Sequence, residues 1–280
     1  MTPATEHSAT NRRPTSATAD AVAVALALAV VAAFVAHECT TSEAACDIVR
    51  RRSLFAIPAT VAFAGAATFL RGVTPGGAIA GWAFALVLWQ SAGSGAFLAL
   101  ISVFGLTWLA TRFGAARKAA AGLAEARRGR SAAQVAANVG VAAIAVAFGG
   151  VLGVIAGVAA LAEAAADTAS SEVGQAAADR ARLLPTFAVV PAGTDGAVSL
   201  PGTVAGIAAA AGVAGVALAA ALMSARVAAY AAIAGVLGML FDSLLGATLE
   251  RRRWLNNNAV NTLSTAFAAG IAVTATLWAP

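Results

Sequence analysis

The sequence predicts an all-α fold, a polytopic bundle of transmembrane helices. Of the 280 residues, 60% are hydrophobic and 11% are charged, against roughly 45–50% and 25% in an ordinary soluble domain. Apolar runs that are long enough, or almost long enough, to cross a bilayer as a helix of about 20 residues recur along the chain. Alanine and glycine dominate these runs, and small residues let helices pack closely in lipid. We therefore expect one compact bundle.

Nine apolar runs are the candidate spans. In chain order they cover residues 20–37, 54–70, 76–90, 93–111, 134–148, 150–166, 203–223, 227–247 and 259–278. The third and fifth runs are short, so the sequence predicts seven to nine spans in a single integral membrane domain over residues 20–280. Residues 1–19 are polar and rich in Thr, Ser and Pro, which predicts a disordered segment. Because no clear small-residue cleavage site follows the first run, we interpret it as a span rather than a signal peptide.

Basic residues predict the topology of this domain. Arginine and lysine collect in short cytoplasmic loops, and on this basis the loops near residues 112–130, 167–202 and 248–258 are cytoplasmic. The arginines at 50–52 fall on the other side if all nine runs are counted. The net charge of +5 lies in these loops, and the chain offers no solvated basic face for nucleic acid.

Two cysteines, Cys39 and Cys46, lie in the polar stretch after the first run, with His37 nearby. A zinc site requires more ligands in closer pairs. The sequence therefore predicts a free or disulfide-forming cysteine pair.

Acidic residues end the sixth apolar run, in the stretch "AEAAADTASSEVG". On a helix Glu163, Asp167, Ser170, Ser171 and Gly174 share a stripe roughly 100° wide. Carboxylates four residues apart repel each other, so this pair requires protonation, solvent or a cation. Carboxylates and hydroxyls are the oxygen ligands that Mg²⁺ prefers, commonly one or two carboxylates together with substrate phosphates. A solvated helix end with ordinary capping residues is the alternative interpretation.

A second acid stands in the stretch "GVLGMLFDSLLGATLE". Gly235, Gly238, Asp242 and Gly246 form one helical face, which another helix or a ligand phosphate can approach closely. Helix packing accounts for the glycines without any function, but it does not account for the aspartate.

A loop rich in glycine and proline, "VVPAGTDGAVSLPGTVAG", lies between these two stretches. Its composition predicts no regular element and leaves backbone N–H groups free to bind an anion. Thr203 is expected to cap the next helix, whose N-terminus favours phosphate. A plain connecting loop is the alternative interpretation.

Polar residues also enter two further spans. Arg130, Gln134 and Asn138 line one helical face, and Asn257 and Asn261 do the same at the last span. Hydrogen bonds between helices are the simpler explanation for them. The sequence contains no GxxxxGK[ST] loop, and its two histidines lie near the N-terminus. The sequence therefore does not predict covalent hydrolysis through a Ser/His/Asp or Cys/His system.

Four stretches in this order, "TRFGAARKAAAGLAEARRGRSAAQVAAN", "ADTASSEVG", "VPAGTDGAVSLPGT" and "FDSLLGATLERR…NNNAVNTLST", identify a resemblance that runs from about residue 50 to the C-terminus. The chain resembles the integral membrane family that holds transmembrane protein 19 and the plant phytyl-phosphate kinases. More distantly it is similar to CTP-using membrane enzymes, namely dolichol kinase, phytol kinase and CDP-diacylglycerol synthase.

The resemblance implies a nucleotide and metal site at the cytoplasmic ends of the helices. It implies catalytic roles for Asp167, Asp195 and Asp242, and metal binding by these three together with Glu172. The residues expected to bind nucleotide or phosphate are Ser171, Gly174, Gly193, Thr194, Gly196, Ser243, Arg130, Asn138, Arg180, Asn257 and Asn261.

The expected activity is transfer of a phosphoryl group from CTP, or another nucleoside triphosphate, to an isoprenoid phosphate lipid with Mg²⁺, Mn²⁺ being a second choice. A phosphate nucleophile is already an anion and requires no general base, which suits a site without histidine. Two other functions are compatible with the sequence. Acids within helices also build ion and solute transporters, and polar residues that only join helices would suit a non-catalytic membrane scaffold.

Overall fold

The computed structural model describes residues 16–120 and 129–278, and within them the chain is the all-α polytopic membrane protein that the sequence predicts. The helices are α1 (Ser16–Thr41), α2 (Glu43–Phe69), α3 (Pro75–Ala92), α4 (Ser94–Arg112), α5 (Ala115–Ala120), α6 (Ala132–Phe148), α7 (Gly150–Ala177), α8 (Leu200–Ala219), α9 (Ala225–Leu245) and α10 (Asn257–Trp278). A π-helical turn, Gly246–Glu250, continues α9.

Seven of these helices are long and apolar enough to cross a membrane, namely α1, α2, α4, α7, α8, α9 with its π-helical turn, and α10. The remaining two helices of the bundle, α3 and α6, are the short third and fifth runs of the sequence, and they run between the same two faces. Helix α1 begins four residues before its predicted start. The rest of the predicted disordered segment, residues 1–15, and two arginines of the basic loop, Arg127 and Arg128, lie outside the described residues.

Serine and threonine side chains begin most of the described membrane helices. The N-caps Ser42, Thr74, Ser131, Ser199 and Ser224 each accept a hydrogen bond from a backbone N–H of the following turn, as such caps do because these N–H groups have no partner within the helix. Thr203 is not the cap of α8, contrary to the prediction. The helix begins one turn earlier because Ser199 caps it and Pro201 fits the first turn, where a missing N–H costs nothing.

Successive membrane helices are antiparallel, so the bundle has two faces. The site face holds the start of α1 and residues 70–74, 113–120, 129–131, 178–199 and 246–256. The opposite face holds residues 42, 93, 149 and 220–224. At the site face Val73 pairs with Arg130. At the opposite face Arg52 Nη1 donates to Gln90 O at 2.5 Å, so the arginines at 50–52 lie there, as the count of nine runs predicts.

A disulfide joins Cys39 and Cys46 on the opposite face. It links the last turn of α1 to the first turn of α2. The predicted cysteine pair is therefore a disulfide, and no free cysteine is present in the described residues.

Helix α7 is the centre of the bundle and packs against α4, α6, α8, α9 and α10. Small residues make this possible: a Cβ on Gly235 of α9 would lie 2.9 Å from Cβ of Ala162 in α7. Close packing of this kind suits helices in lipid, where no hydrophobic force drives helices together. As a result the acidic end of α7 is surrounded by other helices.

The predicted loop 167–202 is shorter than expected and contains a small sheet. Helix α7 continues to Ala177, and strands β1 (Arg180–Leu183), β2 (Ala188–Pro191) and β3 (Ala197–Val198) form an antiparallel sheet of order β2-β1-β3. The expectation that this stretch has no regular element is wrong. Val189 and Val190 favour an extended backbone, and Pro191 is tolerated because it ends an edge strand.

Candidate functional site

A polar cavity of about 250 Å³ lies at the site face, where α6, α7, α9, α10 and the loop between β2 and β3 meet. These five elements bring together residues between 130 and 261 of the sequence. The predicted site residues that line it are Asp167, Ser171, Glu172, Gly174, Gly193, Thr194, Asp195, Gly196, Asp242, Ser243, Arg130, Asn138, Asn257 and Asn261. Their individual roles stay predictions.

Arg180 is the one predicted site residue that does not line this cavity. It lies on β1 with its side chain exposed to solvent. Its predicted place at the site depended on interpreting residues 167–202 as a loop, whereas the structure has Arg180 at the start of β1. The structure therefore does not support the prediction that Arg180 binds nucleotide or phosphate at this cavity.

Arg130 is held at the start of α6 by backbone and side-chain hydrogen bonds. Its N–H donates to Gly72 O and its carbonyl accepts from Thr74 N, both at 2.9 Å. Its guanidinium donates to Thr168 Oγ1 at 3.0 Å and lies close enough to Asp167 for their charges to attract. The guanidinium of Arg130 thus faces the carboxylate of Asp167 in the cavity.

The capping box of α6 begins at the residue after Arg130. Ser131 Oγ accepts from Gln134 N at 3.4 Å, and Gln134 Oε1 accepts from Ser131 N at 2.9 Å. Two N–H groups that the helix cannot satisfy are paired in this way. Gln134 therefore supports the start of the helix as well as lining the cavity.

Asp242 belongs to a hydrogen-bond network that joins α9, α10 and α6. Ser264 Oγ donates to Asp242 Oδ2 at 3.1 Å. With its amide nitrogen turned to the carboxylate, Asn261 donates to the same oxygen at 3.3 Å and accepts from Asn138 Nδ2 at 3.0 Å. The two asparagines thus join helices, as the simpler interpretation of the sequence expected, and they also line the cavity.

Asp167 and Asp242 are close enough to repel each other, and each of them also repels Glu163 and Glu250. Glu250 also interacts with the exposed Asp195. Sequence reasoning missed Glu250, because the basic run after it has the composition of a solvated loop. Its spacing of eight residues from Asp242, about two helical turns, was the available signal.

Glu163 lies one helical turn deeper than Asp167 and does not line the cavity. Its side chain is buried, and its Oε1 has no hydrogen-bond partner within the described residues. The predicted stripe of α7 is therefore divided: Asp167, Ser170, Ser171 and Gly174 line the cavity, whereas Glu163 faces the interior of the bundle.

Glu172 forms a buried ion pair with Lys118 of α5. The side chains are 11% and 3% exposed, and Lys118 Nζ also donates to Thr111 O at 2.9 Å. A carboxylate paired in this way is not available to a cation. The prediction that Glu172 binds metal is therefore not supported, although the residue borders the cavity.

Within residues 16–120 and 129–278 there is no group of three or more His, Cys, Asp or Glu side chains placed to hold a metal ion. Asp167 and Asp242 nevertheless face the same cavity and repel each other. Two carboxylates are what Mg²⁺ commonly takes from protein when phosphate oxygens complete its shell. The donor set fits a cation that arrives with a phosphate.

The loop between β2 and β3 has the backbone that its glycines allow. Gly193 and Gly196 have φ of 85° and 74°, a region that other residues rarely adopt. Thr194 N donates within the loop, to Pro191 O at 3.3 Å, whereas the N–H groups of Gly193 and Asp195 make no hydrogen bond to other described residues. The expectation of N–H groups free to bind an anion holds for these two.

The chain is similar to membrane proteins of several organisms. A family model described as integral membrane protein DUF92 matches residues 58–269. An uncharacterised membrane protein of Synechocystis is 33% identical over 213 residues, which cover 72% of this chain and 81% of that protein. Protein VTE6, chloroplastic, of Arabidopsis thaliana is 29% identical over 225 residues, or 75% and 67% of the two chains.

An uncharacterised membrane protein of Methanocaldococcus jannaschii is 35% identical over 169 residues, which cover 59% of this chain and 70% of that protein. No solved structure matches the chain. The matched residues include every residue of the polar cavity. The chain therefore belongs to the DUF92 family of integral membrane proteins.

Proposed function

We propose that the chain is a prenyl-phosphate kinase, which transfers the γ-phosphoryl group of CTP, or of another nucleoside triphosphate, to an isoprenoid phosphate at the cytoplasmic face of the membrane. The supporting observation is that Arg130, the carboxylates of Asp167 and Asp242, and the glycine loop share one polar cavity at the site face. The resemblance to the phytyl-phosphate kinases supports the acceptor class.

In the proposed reaction an oxygen of the isoprenoid phosphate attacks the γ-phosphorus of the nucleotide. The bond between that phosphorus and the bridging oxygen breaks, the nucleoside diphosphate leaves, and an isoprenoid diphosphate forms. Because the attacking oxygen is already charged, the protein has to position the reactants and to neutralise their charge. A cavity that holds an arginine and carboxylates, and no histidine, suits this task.

Arg130 is the residue that we assign to the acceptor phosphate, because its guanidinium lies in the cavity beside Asp167. The free N–H groups of Gly193 and Asp195 suit the nucleotide phosphates. Asp167 and Asp242 would hold Mg²⁺, or Mn²⁺ in its place. When bound, the ion would neutralise the negative charge of the transferred group.

The test is transfer of label from γ-labelled CTP to geranylgeranyl or phytyl phosphate by the purified protein with Mg²⁺. We expect a labelled isoprenoid diphosphate from the unchanged protein and no turnover from Asp167→Asn or Asp242→Asn. The matched control is Asp179→Asn, since Asp179 is an exposed acid of the same face that pairs with Arg117 at 2.5 Å outside the cavity.

The control variant should keep its activity, and all variants should insert normally in the membrane. Near-normal activity in both cavity variants would contradict the site. Absence of both nucleotide binding and transfer in the unchanged protein would contradict the kinase assignment and favour a transporter.

A further inference from the structure

A second cavity, of about 480 Å³, lies beside the polar cavity and between α2, α3, α4 and α6. Its volume falls within the range of about 300–1,000 Å³ that is usual for ligand pockets. Its deeper part is apolar and is lined by Phe63, Trp82, Leu100, Val103 and Phe104. We name it the tail cavity.

The end of the tail cavity at the site face is basic. Arg71, Arg112, Lys118 and Arg130 line it there. Glu172 pairs with Lys118, but none of the three arginines forms a salt bridge with a carboxylate in the described part of the chain. The deeper part of the cavity thus suits a hydrocarbon chain, and its positively charged mouth suits an anionic headgroup.

The tail cavity and the polar cavity share three residues, Arg130, Asn138 and Glu172. Arg130 connects the two cavities, because it lines both and its guanidinium contacts Thr168 and faces Asp167. An anionic group at the mouth of the tail cavity would therefore stand next to the carboxylates of the polar cavity.

We propose that the tail cavity binds the hydrocarbon chain of the isoprenoid acceptor, whose terminal phosphate lies at the arginine mouth. The identity of the chain rests on the proposed function. A terminal phosphate is required because only a phosphate monoester at the end of the chain can present an attacking oxygen to the polar cavity. Phospholipids with a phosphate diester do not meet this condition.

The experiment is photolabelling of the purified protein with geranylgeranyl phosphate that carries a diazirine in its last isoprene unit. The label should map to peptides of α2, α3 and α4 that contain Phe63, Trp82 or Phe104. Unlabelled geranylgeranyl phosphate should compete, whereas phosphatidylglycerol, an anionic phospholipid whose phosphate is a diester, should not.

A matched pair of variants tests the cavity itself. Gly81 lines the tail cavity, and a Cβ at this position would meet Val135 Cγ1 at 3.8 Å, in ordinary contact. Gly105, on α4, is outside the lining and has nothing within 4 Å of such a Cβ. Leucine at either position also favours the helix, so neither variant should lose its fold.

Gly81→Leu should reduce labelling about tenfold or more, because the leucine side chain occupies space that the isoprenoid chain needs. Gly105→Leu should label like the unchanged protein. Label on other peptides, equal loss in both variants, or equal competition by phosphatidylglycerol would overturn the proposal.

The same preparations separate this proposal from the kinase assignment. Phosphoryl transfer together with label on other helices would overturn the tail cavity and leave the kinase assignment standing. Label in the tail cavity without transfer from any nucleoside triphosphate would support the cavity as a lipid site and overturn the kinase assignment.

Discussion

At the scale of single residues, Gly196 is the position where the loop of the polar cavity depends on glycine. Its φ is 74°, and a Cβ would overlap the backbone at Ser243 O of α9 and at Ala247 N of the π-helical turn. Strain of this kind costs about 1–3 kcal/mol, and a contact with backbone atoms cannot relax by turning a side chain.

We therefore expect Gly196→Ala to lower the melting temperature of the purified protein and to weaken nucleotide binding. Gly215→Ala is the control, because Gly215 is a helical glycine with nothing within 4 Å of an added Cβ. Scanning calorimetry and nucleotide titration would measure both effects. An unchanged Gly196→Ala protein would show that the loop does not rest on the π-helical turn.

The ion pair of Lys118 and Glu172 gives a second prediction at this scale. Because both side chains are buried, Lys118→Met would leave an uncompensated carboxylate, at a cost of about 3–5 kcal/mol. We expect the double variant Lys118→Met/Glu172→Gln to recover much of the lost stability. Thermal unfolding of the two single variants and the double variant measures the coupling. Additive losses would show that the two charges do not stabilise each other.

The positions of the acidic site residues could be predicted from the sequence, whereas their ion-pair partners could not. The stripe on α7 and the face of α9 follow from helical periodicity, and the structure brings Asp167 and Asp242 into one cavity. The partner of Glu172 could not be predicted, because Lys118 lies 54 residues away in the chain. Arg180 was misplaced since a strand turns it to solvent.

At the scale of elements, the N-cap residues of α6 and α9 can be compared directly. Ser131 and Ser224 both accept a hydrogen bond from the third residue of their helix, but Ser131 follows Arg130 at the site face and Ser224 lies at the opposite face. Loss of such a cap costs about 1 kcal/mol.

We expect Ser131→Ala and Ser224→Ala to lose similar stability, while only Ser131→Ala raises the KM for the isoprenoid phosphate, because it loosens the backbone that carries Arg130. Melting temperatures and steady-state kinetics on the same samples measure the two effects. An equal change in KM for both variants would show that the effect is one of general stability.

Element boundaries were predictable wherever hydrophobicity changes sharply, and the nine apolar runs correspond to the nine long helices of the described residues. The end of α7 could not be predicted in this way. The polar residues after Asp167 have the composition of a loop, but the helix continues to Ala177. The small sheet was missed because its strands are two to four residues long, too short for an alternating pattern.

At the scale of the whole molecule, the distribution of basic residues argues that the site face is cytoplasmic. The described basic residues of the site face are Arg71, Arg112, Arg117, Lys118, Arg130, Arg180, Arg182, Arg251, Arg252 and Arg253; the opposite face has Arg50, Arg51, Arg52 and Arg226. The disulfide on the opposite face agrees with this orientation, because disulfides persist in oxidising compartments.

Single cysteines test the orientation in a protein whose Cys39 and Cys46 are replaced by alanine. We expect a membrane-impermeant maleimide to label Ala225→Cys in intact cells, and Thr186→Cys only after the cells are permeabilised. Both positions are exposed, on opposite faces of the bundle. The reverse pattern would place the polar cavity outside the cell and contradict the use of a cytoplasmic nucleotide.

The length of α7 determines the depth at which the proposed chemistry takes place. At about 1.5 Å per residue, Asp167 lies roughly 26 Å along this helix from Gly150, and the hydrocarbon core of a bilayer is about 30 Å thick. With Gly150 at one edge of the core, the carboxylate lies about 4 Å inside the other edge, next to the lipid headgroups of that leaflet. An isoprenoid phosphate could react there with its chain in the tail cavity, at the level of the hydrocarbon core, and the diphosphate that forms would return to the leaflet from which its precursor came.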